Sequence, residues 1–526
     1  MPPQNDAALG GGFFRNRFTR KNSTSSLIID DTPATSTESV AAAEATVAAT
    51  AAAAAGGKTY TWEEVAEHNT EKSLWVTVRG KVYDISSWVN NHPGGKEILL
   101  LAAGRDITYA FDSYHPFTEK PTQVLGKFEI GTVSSHEFPQ YKPDTRGFYK
   151  TLCTRVGDYF KQEKLNPKDP FPGIWRMLLV AMVAVASFMV CNGWVGLEGG
   201  VLAGWGARFV AAVVFGVCQA LPLLHVMHDS SHLAFGNTER WWQMGGRLAM
   251  DFFAGANMTS WHNQHVIGHH IYTNVFMADP ALPDKSAGDP RRLVKKQAWE
   301  GMYKWQHLYL PPLYGILGIK FRVQDVMETY GSGSNGPVRV NPLSPWQWGE
   351  MIFTKLFWFG WRVVFPLMSA SFRTSMATFW PLFFVSEFMT GYFLAFNFQV
   401  SHVSSECDYP LGEAPREEAV EGSAGGKEGI KDEWAVSQVK SSVDYAHNNA
   451  LTTFLCGALN YQVTHHLFPT VSQYHYPKIA PIIQEVCKEF NVDYKVLPDF
   501  VTAFHAHIAH LKALGERGEA AEVHMG

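Results

Sequence analysis

Three short stretches gather histidines at helical spacing: "HDSSH" at residues 228–232, "HVIGHH" at 265–270 and "QVTHH" at 462–466. The chain carries 21 His among 526 residues, a density that would place about two in the window 225–270. That window holds seven: His225, His228, His232, His262, His265, His269 and His270. On a helix His228 and His232 are four apart and share a face. His265 and His269 repeat the spacing, with His270 beside them. Gln462, His465 and His466 fall at i, i+3 and i+4, again one face. Neutral imidazole suits zinc, copper and iron. A single zinc takes four ligands, whereas these groups offer at least seven histidines, so the pattern predicts two metals. His402 is an eighth candidate, because it emerges at the end of the last long apolar segment and so faces the same cavity. His225 and His262 lie near the groups and are read as structural, with an outer contact to a ligating histidine as the alternative. Asp229 and Asn274 are candidates to accept the outer N–H of a ligating imidazole, with an ordinary polar contact as the equal alternative for each.

Another pair of histidines stands nearer the N-terminus, in "GKVYDISSWVNNHPGGKEILLLAAGRDITYAFDSYH", residues 80–115. "LWVTVRGKVYDI" alternates like a strand with a turn, and "KEILLLAAG" predicts a short helix closed by Gly104. His92 sits on a Pro-Gly-Gly turn, and His115 follows an apolar stretch. The string resembles cytochrome b5 over roughly residues 59–133. The resemblance implies a small α+β domain in which His92 and His115 are the two axial ligands of haem b. With both axial positions filled, such a module passes single electrons and does not bind dioxygen.

The histidine groups need long elements to bring them together. Residues 177–197 carry no charge, and 199–224 carry only Arg208 and end at the first group. Residues 351–372 carry Lys355 and Arg362 among aromatics, and 374–401 carry only Glu387. Each is long enough to cross a bilayer as a helix, so four spans in two hairpins are predicted. An even number of crossings then puts all three histidine groups on one side. Lys161, Lys164, Lys168 and Arg176, with Arg291, Arg292, Lys295 and Lys296, flank that side, while the opposite loops hold Glu198 and Arg373. The positive-inside rule makes it cytoplasmic. Residues 308–321 are apolar but short and broken by Pro311-Pro312, which predicts an interfacial segment.

The remaining stretches are less informative. Residues 1–57, rich in Ala with Ser, Thr, Gly and charge, read as a disordered tail. A transit peptide is the rival reading from Arg15, Arg17, Arg20 and Lys21, weakened by Asp30, Asp31 and Glu38. Residues 406–433 read as a solvated surface loop. A net charge of −5 offers no basic field for nucleic acid. The six cysteines lack CxxC spacing and read as reduced thiols.

The contexts "HDSSH", "QHVIGHHIYTN" and "YQVTHHLFP" resemble the membrane fatty acyl desaturase superfamily over about residues 170–500. The fused cytochrome b5-like domain, with Gln462 opening the third group, resembles the front-end acyl desaturases. The resemblance implies two non-haem iron ions held by His228, His232, His265, His269, His270, His402, His465 and His466, with Gln462 as a further candidate through its amide oxygen or a water. It implies an oxidoreductase that uses dioxygen to place a cis double bond in a fatty acyl chain, phospholipid-linked or coenzyme A-linked. The attached haem would supply the electrons, recharged by an NADH-cytochrome b5 reductase. "QHVIGHHIYTNVFMADP" and "QVTHHLFPTVSQYHYPKIAPII" are most similar to delta-5 desaturases of twenty-carbon chains. Delta-6, delta-4 and sphingoid-base desaturation or acyl hydroxylation are the rivals, and a membrane-anchored haem electron carrier is a remote one. The expected organisation is a tail (1–57), a haem domain (58–135), a linker and amphipathic entry segment (136–170), an all-α membrane desaturase domain with about four helices and a cytoplasmic histidine-box cap (171–500), and a C-terminal tail (501–526). The expected location is the endoplasmic reticulum membrane.

Overall fold

The computed structural model describes residues 57–195, 204–283, 288–368, 376–413 and 429–516. The tail expected over 1–57 lies outside them, apart from Gly57.

The first part is a six-stranded sheet of β1 (Lys58–Tyr60), β2 (Asn69–Thr70), β3 (Ser73–Val78), β4 (Lys81–Asp84), β5 (Arg105–Asp106) and β6 (Glu129–Val133). The strand order is β1-β6-β4-β3-β2, with β5 pairing beside β3. Strands β3 and β4 run antiparallel, with Val78 opposite Lys81. Arg79 and Gly80 between them both take positive φ, 51° and 75°. That two-residue turn matches the twist of the strands it joins. The expected helix is Lys96–Ala102, and Gly104 follows it at φ 70°. Leu74, Val76, Val78, Ile85, Val89, Leu99 and Ala103 form the core beneath the sheet.

Beyond the sheet the chain is almost wholly helical. Four helices among the described residues are long and apolar enough to cross a membrane: Phe171–Cys191, Trp205–Ser231, Pro345–Met368 and Met376–Gln399. The count matches the expectation, and the ends move for local reasons. The third helix begins six residues early, because Ser344 and Gln347 form a capping box and Pro345 takes the first helical position. The second runs through a π-helical turn, Leu223–Met227, so the same rod carries His228.

Glu387, Arg362 and Lys355 in these spans are ion-paired, which lowers the cost of carrying them through an apolar layer. The buried Glu387 carboxylate meets Arg322 and Arg362, the latter at 3.1 Å. Lys355 meets Asp325 at 2.7 Å. The Pro311-Pro312 stretch is the helix Gln306–Leu313, continued by Leu317–Asp325. It lies along the fourth span, where a Cβ at Gly391 would come within 2.0 Å of the Gly315 carbonyl oxygen. That approach requires glycine.

Several segments are more firmly packed than their composition indicates. In the linker, helix Phe148–Gln162 buries Phe148, Leu152, Val156 and Phe160 in one core with Ile479, Ile483 and Val486 of helix Tyr476–Glu489. Residues 501–515 of the tail expected at 501–526 belong to helix Phe500–Gly515, which buries Ala503, His507 and Leu511, and 517–526 lie outside the described residues. The loop expected to be solvated at 406–433 is anchored at both described ends, while Asp408, Glu413, Gly429 and Lys431 there are exposed. Cys407 and Tyr409 are buried, with the Tyr409 hydroxyl bonded to the His402 and Ser404 carbonyls, and Ile430 and Glu433 are buried at the other end. Its Gly- and Glu-rich centre, 414–428, lies outside the described residues. All six cysteines are free thiols, five of them buried.

Candidate metal centre and haem site

His92 and His115 face each other across 6.3 Å between ring centroids, their planes at 86°. Each ring is oriented through Nδ1: His92 to the Gly95 carbonyl at 3.1 Å, His115 to the Phe111 carbonyl at 2.8 Å. A proton held on Nδ1 leaves Nε2 as the free donor. An iron held by both Nε2 atoms at about 2 Å each fits between rings at that separation. Burial depresses both imidazoles, His115 to about 4, so both are neutral and able to ligate.

The three histidine groups converge in one buried cluster. His228, His232, His265 and His465 have ligand nitrogens within 4.8 Å of one another, as do His269, His402 and His466. His270 joins the two sets, forming a third such group with His465 and His466. The His269 and His402 Nε2 atoms lie 3.4 Å apart, and those of His466 and His402 3.1 Å. Two ligands about 2.1 Å from a common ion, at right-angle to tetrahedral ligation, stand roughly 3.0–3.4 Å apart. In the larger set, His232 Nε2, His465 Nε2 and both His228 nitrogens are buried with no protein partner. Unpaired buried nitrogens are costly unless something binds them. The donor set therefore fits metal ions of imidazole preference.

The second histidine group is not α-helical. Residues His262–His269 form a π-helical segment, entered from helix Met258–Trp261, which Asn257 caps. The wider turn puts the i+5 residue beside its start, and His265 Nε2 lies 3.2 Å from His270 Nε2. The α-helical spacing read from the sequence therefore understates His270. Gln462, His465 and His466 do share the short α-helix Gln462–Leu467. Gln462 brings its amide to 2.8 Å from His402 Nε2 with its oxygen unpartnered, so the amide faces the smaller set.

Outer hydrogen bonds set most of the tautomers. The Asp279 carboxylate accepts from His269 Nδ1 at 2.9 Å, and also from the Asn274 and Ala281 amides. Gln438 accepts from His466 Nδ1 at 2.9 Å, the Ser441 carbonyl from His402 Nδ1 at 3.2 Å, and the Tyr476 hydroxyl from His465 Nδ1 at 3.1 Å. Tyr114, from the haem domain, stands 3.1 Å from His232 Nδ1. None of these residues stood out in the sequence, since an isolated Asp, Gln or Tyr carries no pattern. Of the two readings open for Asp229 and Asn274, the structure gives the ordinary polar contact. Asp229 accepts from Ser472 and Gln473. Asn274 donates to the carbonyls of His402, Asp408 and Ser441 and so ties the loop ends together. His225 is bound to Tyr474 and to the Phe454 carbonyl, and His262 packs on Trp242; neither belongs to the ligand groups. Burial, reinforced by neighbouring imidazoles, holds His232, His265, His270, His402, His465 and His466 well below the ordinary histidine range. They are neutral and ready to ligate.

An apolar cavity begins beside the cluster. Trp261, stacked on His265 with centroids 4.3 Å apart, lines it with Leu223, Met227, Met250, Leu394 and Phe398, and Gln219 and Arg322 also border it. The haem domain is fastened close by. Tyr109 stacks on Trp434, Glu97 pairs with Arg247 at 2.8 Å, and Asn341 donates to the Leu100 and Ala103 carbonyls.

Comparison with known proteins agrees with this arrangement. The family model "Fatty acid desaturase" matches residues 203–498, and "Cytochrome b5-like Heme/Steroid binding domain" matches 61–134. The chain is 40% identical over 460 residues to the Delta(5) fatty acid desaturase A of Dictyostelium discoideum, covering 87% of this chain and 94% of that one. It is 38% identical over 476 residues to the acyl-lipid (8-3)-desaturase of Mortierella alpina, covering 88% and 98%. It is 27% identical over 393 residues to the sn-1 linoleoyl-lipid 6-desaturase of Synechocystis sp., covering 70% and 96%. With haem-type and metal-type histidines in one folded unit, the chain belongs to the fatty acid desaturase family, as an oxidoreductase of the front-end type with a cytochrome b5-like domain fused ahead of its membrane helices.

Proposed function

We propose that the protein is a delta-5 desaturase of twenty-carbon polyunsaturated acyl chains that already carry a double bond at carbon 8. The observation that carries this reading is the 38–40% identity, over nearly the whole chain, to relatives named delta-5 and (8-3), against 27% to a 6-desaturase. The site residues have the following parts. His92 and His115 hold haem b. His228, His232, His265 and His465 hold one non-haem iron, and His269, His402 and His466 the second, with His270 between them and Gln462 beside the second.

When bound, the haem delivers electrons singly and the two irons with dioxygen provide an oxidant able to take hydrogen from an unactivated methylene. Two vicinal C–H bonds are lost and one C=C is formed. Dioxygen, two electrons and two protons complete the balance, and two waters leave. The protein's own share is positioning. Asp279, Gln438, Ser441 and Tyr476 keep the protons of four histidines on Nδ1, so that Nε2 is the free donor in each. Trp261, Met227 and Phe398 offer the acyl chain an apolar path that excludes water beside His265. The contacts of Tyr109, Glu97 and Asn341 hold the electron donor beside the metal groups, which acts as a high effective concentration.

The electrons come from an NADH-cytochrome b5 reductase. The protein resides in the endoplasmic reticulum membrane with the haem domain and histidine groups cytoplasmic; the basic residues flanking that end of the spans support the orientation. Expression in a host lacking such products, with eighteen- and twenty-carbon precursors fed separately, tests the reading. A new double bond at carbon 5 of the twenty-carbon feed is expected. Since a pocket rejects one methylene by only about 1–3 kcal/mol, minor products from neighbouring lengths are also expected. A dominant delta-6 product from the eighteen-carbon feed refutes the regiochemistry.

A further inference from the structure

We propose that Tyr114 is a positioning residue through which the haem domain completes the metal centre. Tyr114 directly precedes His115 at the end of helix Thr108–Tyr114, so its backbone is fixed by the same turn that aims His115. Its side chain points the other way, and its hydroxyl reaches 3.1 Å from Nδ1 of His232, with ring centroids 6.4 Å apart. His232 is completely buried, and its Nε2 has no protein partner. If Nε2 is to ligate, the proton must sit on Nδ1, and the Tyr114 oxygen is the acceptor that holds it there. The other outer acceptors, Asp279, Gln438, Ser441 and Tyr476, belong to the membrane part itself. His232 alone takes its partner from the haem domain among the contacts described.

Neighbouring contacts hold this junction closed. A Cβ on Gly94, two residues from His92, would meet Leu233 at 3.0 Å, and one on Gly95 would meet the Glu239 carboxyl at 2.2 Å. The backbone of the haem-side turn therefore rests on the segment that follows "HDSSH". Docking of the haem domain and orientation of His232 are then one event, so the electron donor and the ligand set it serves assemble together.

This inference rests on His232 being an iron ligand, and the two can fail separately. Full-length protein loaded with haem and iron is the material. His232→Ala should lose iron from the larger histidine set, and failure to do so removes the ligand assignment itself. Tyr114→Phe keeps the ring and drops the acceptor. Its haem spectrum should be unchanged, while iron release to a chelator rises about 10- to 100-fold, the usual effect of losing an outer-shell partner. Its Mössbauer spectrum should change for one iron and not the other. Tyr114→Met is the second variant should the first accumulate poorly, and it should behave alike. Iron retention and Mössbauer parameters equal to the parent's, in a variant with normal haem content, overturn the proposal.

Discussion

Asp279→Ala is the substitution whose consequence the geometry specifies most closely. The Asp279 side chain is buried and receives three hydrogen bonds: from His269 Nδ1 at 2.9 Å and the Asn274 amide at 2.8 Å on one oxygen, and from the Ala281 amide at 2.8 Å on the other. Alanine removes both oxygens. His269 then has no acceptor for its Nδ1 proton, and the tautomer that frees Nε2 loses its support. Loss of such a partner lowers metal affinity about 10- to 100-fold, or roughly 1.4–2.7 kcal/mol. The two orphaned backbone N–H groups cost about 1–3 kcal/mol each, and that penalty falls on folding rather than on the metal. The two effects separate in one experiment. Chelator competition on full-length protein reads iron affinity, and the haem absorption of the same sample reports the folded fraction. The expected outcome is weakened iron at the His269 set, about half of the total, with haem retained in the folded protein. Asp279→Asn should lie between, since a neutral amide oxygen still accepts but less strongly than a carboxylate. An alanine variant with normal haem that holds all its iron within twofold of the parent refutes the reasoning.

His92→Ala or His115→Ala should abolish the bis-histidine haem spectrum and electron supply while leaving the histidine-bound iron in place, because the two ligand sets share no residue; metal analysis beside the optical spectrum checks this. Burial lowers the His507 imidazole to about 4, and it bonds the Val403 carbonyl and the Tyr314 hydroxyl. The unfolded chain takes up this proton near the ordinary value of 6.5 and the folded chain only near 4. Between these values the unfolded state binds more protons, so stability falls as the pH drops, by at most about 3 kcal/mol. Replacing His507 by Gln should flatten that loss in thermal denaturation followed from pH 7 downwards, and an unchanged profile counts against it. Glu387→Ala leaves the buried Arg362 and the part-buried Arg322 without their shared counter-ion and should cost about 3–5 kcal/mol, read as a lower inactivation temperature in detergent.

Much of this chemistry was legible in the residue string, because it is carried by residue type and short spacing. A histidine excess at i and i+4, a His-Pro-Gly-Gly turn ahead of an apolar helix, and four long apolar runs are local patterns, each reflecting the period of the element that bears it. His402 could be placed from the end of a span alone. The division of the histidines into sets could not be read so. His265 reaches His228 and His465 rather than only its own neighbours, since a π-helical turn rotates the following residues against α-helical phase. The outer acceptors were equally hidden. Gln438, Tyr476 and Tyr114 stand 28, 11 and 118 residues from the rings they orient, and a hydrogen bond needs only an oxygen at the right distance. The loop ends at Tyr409 and Ile430 read as polar surface because their neighbours are, yet packing against other segments buries them. Sequence alone determined which side chains could ligate and which segments could lie in an apolar layer, because those properties belong to residues and their periodicity. The tertiary structure decided which nitrogens lie close enough to share an ion and which group faces each ring's outer nitrogen, because coordination and proton position depend on separations of about 3 Å between parts of the chain that only folding brings together.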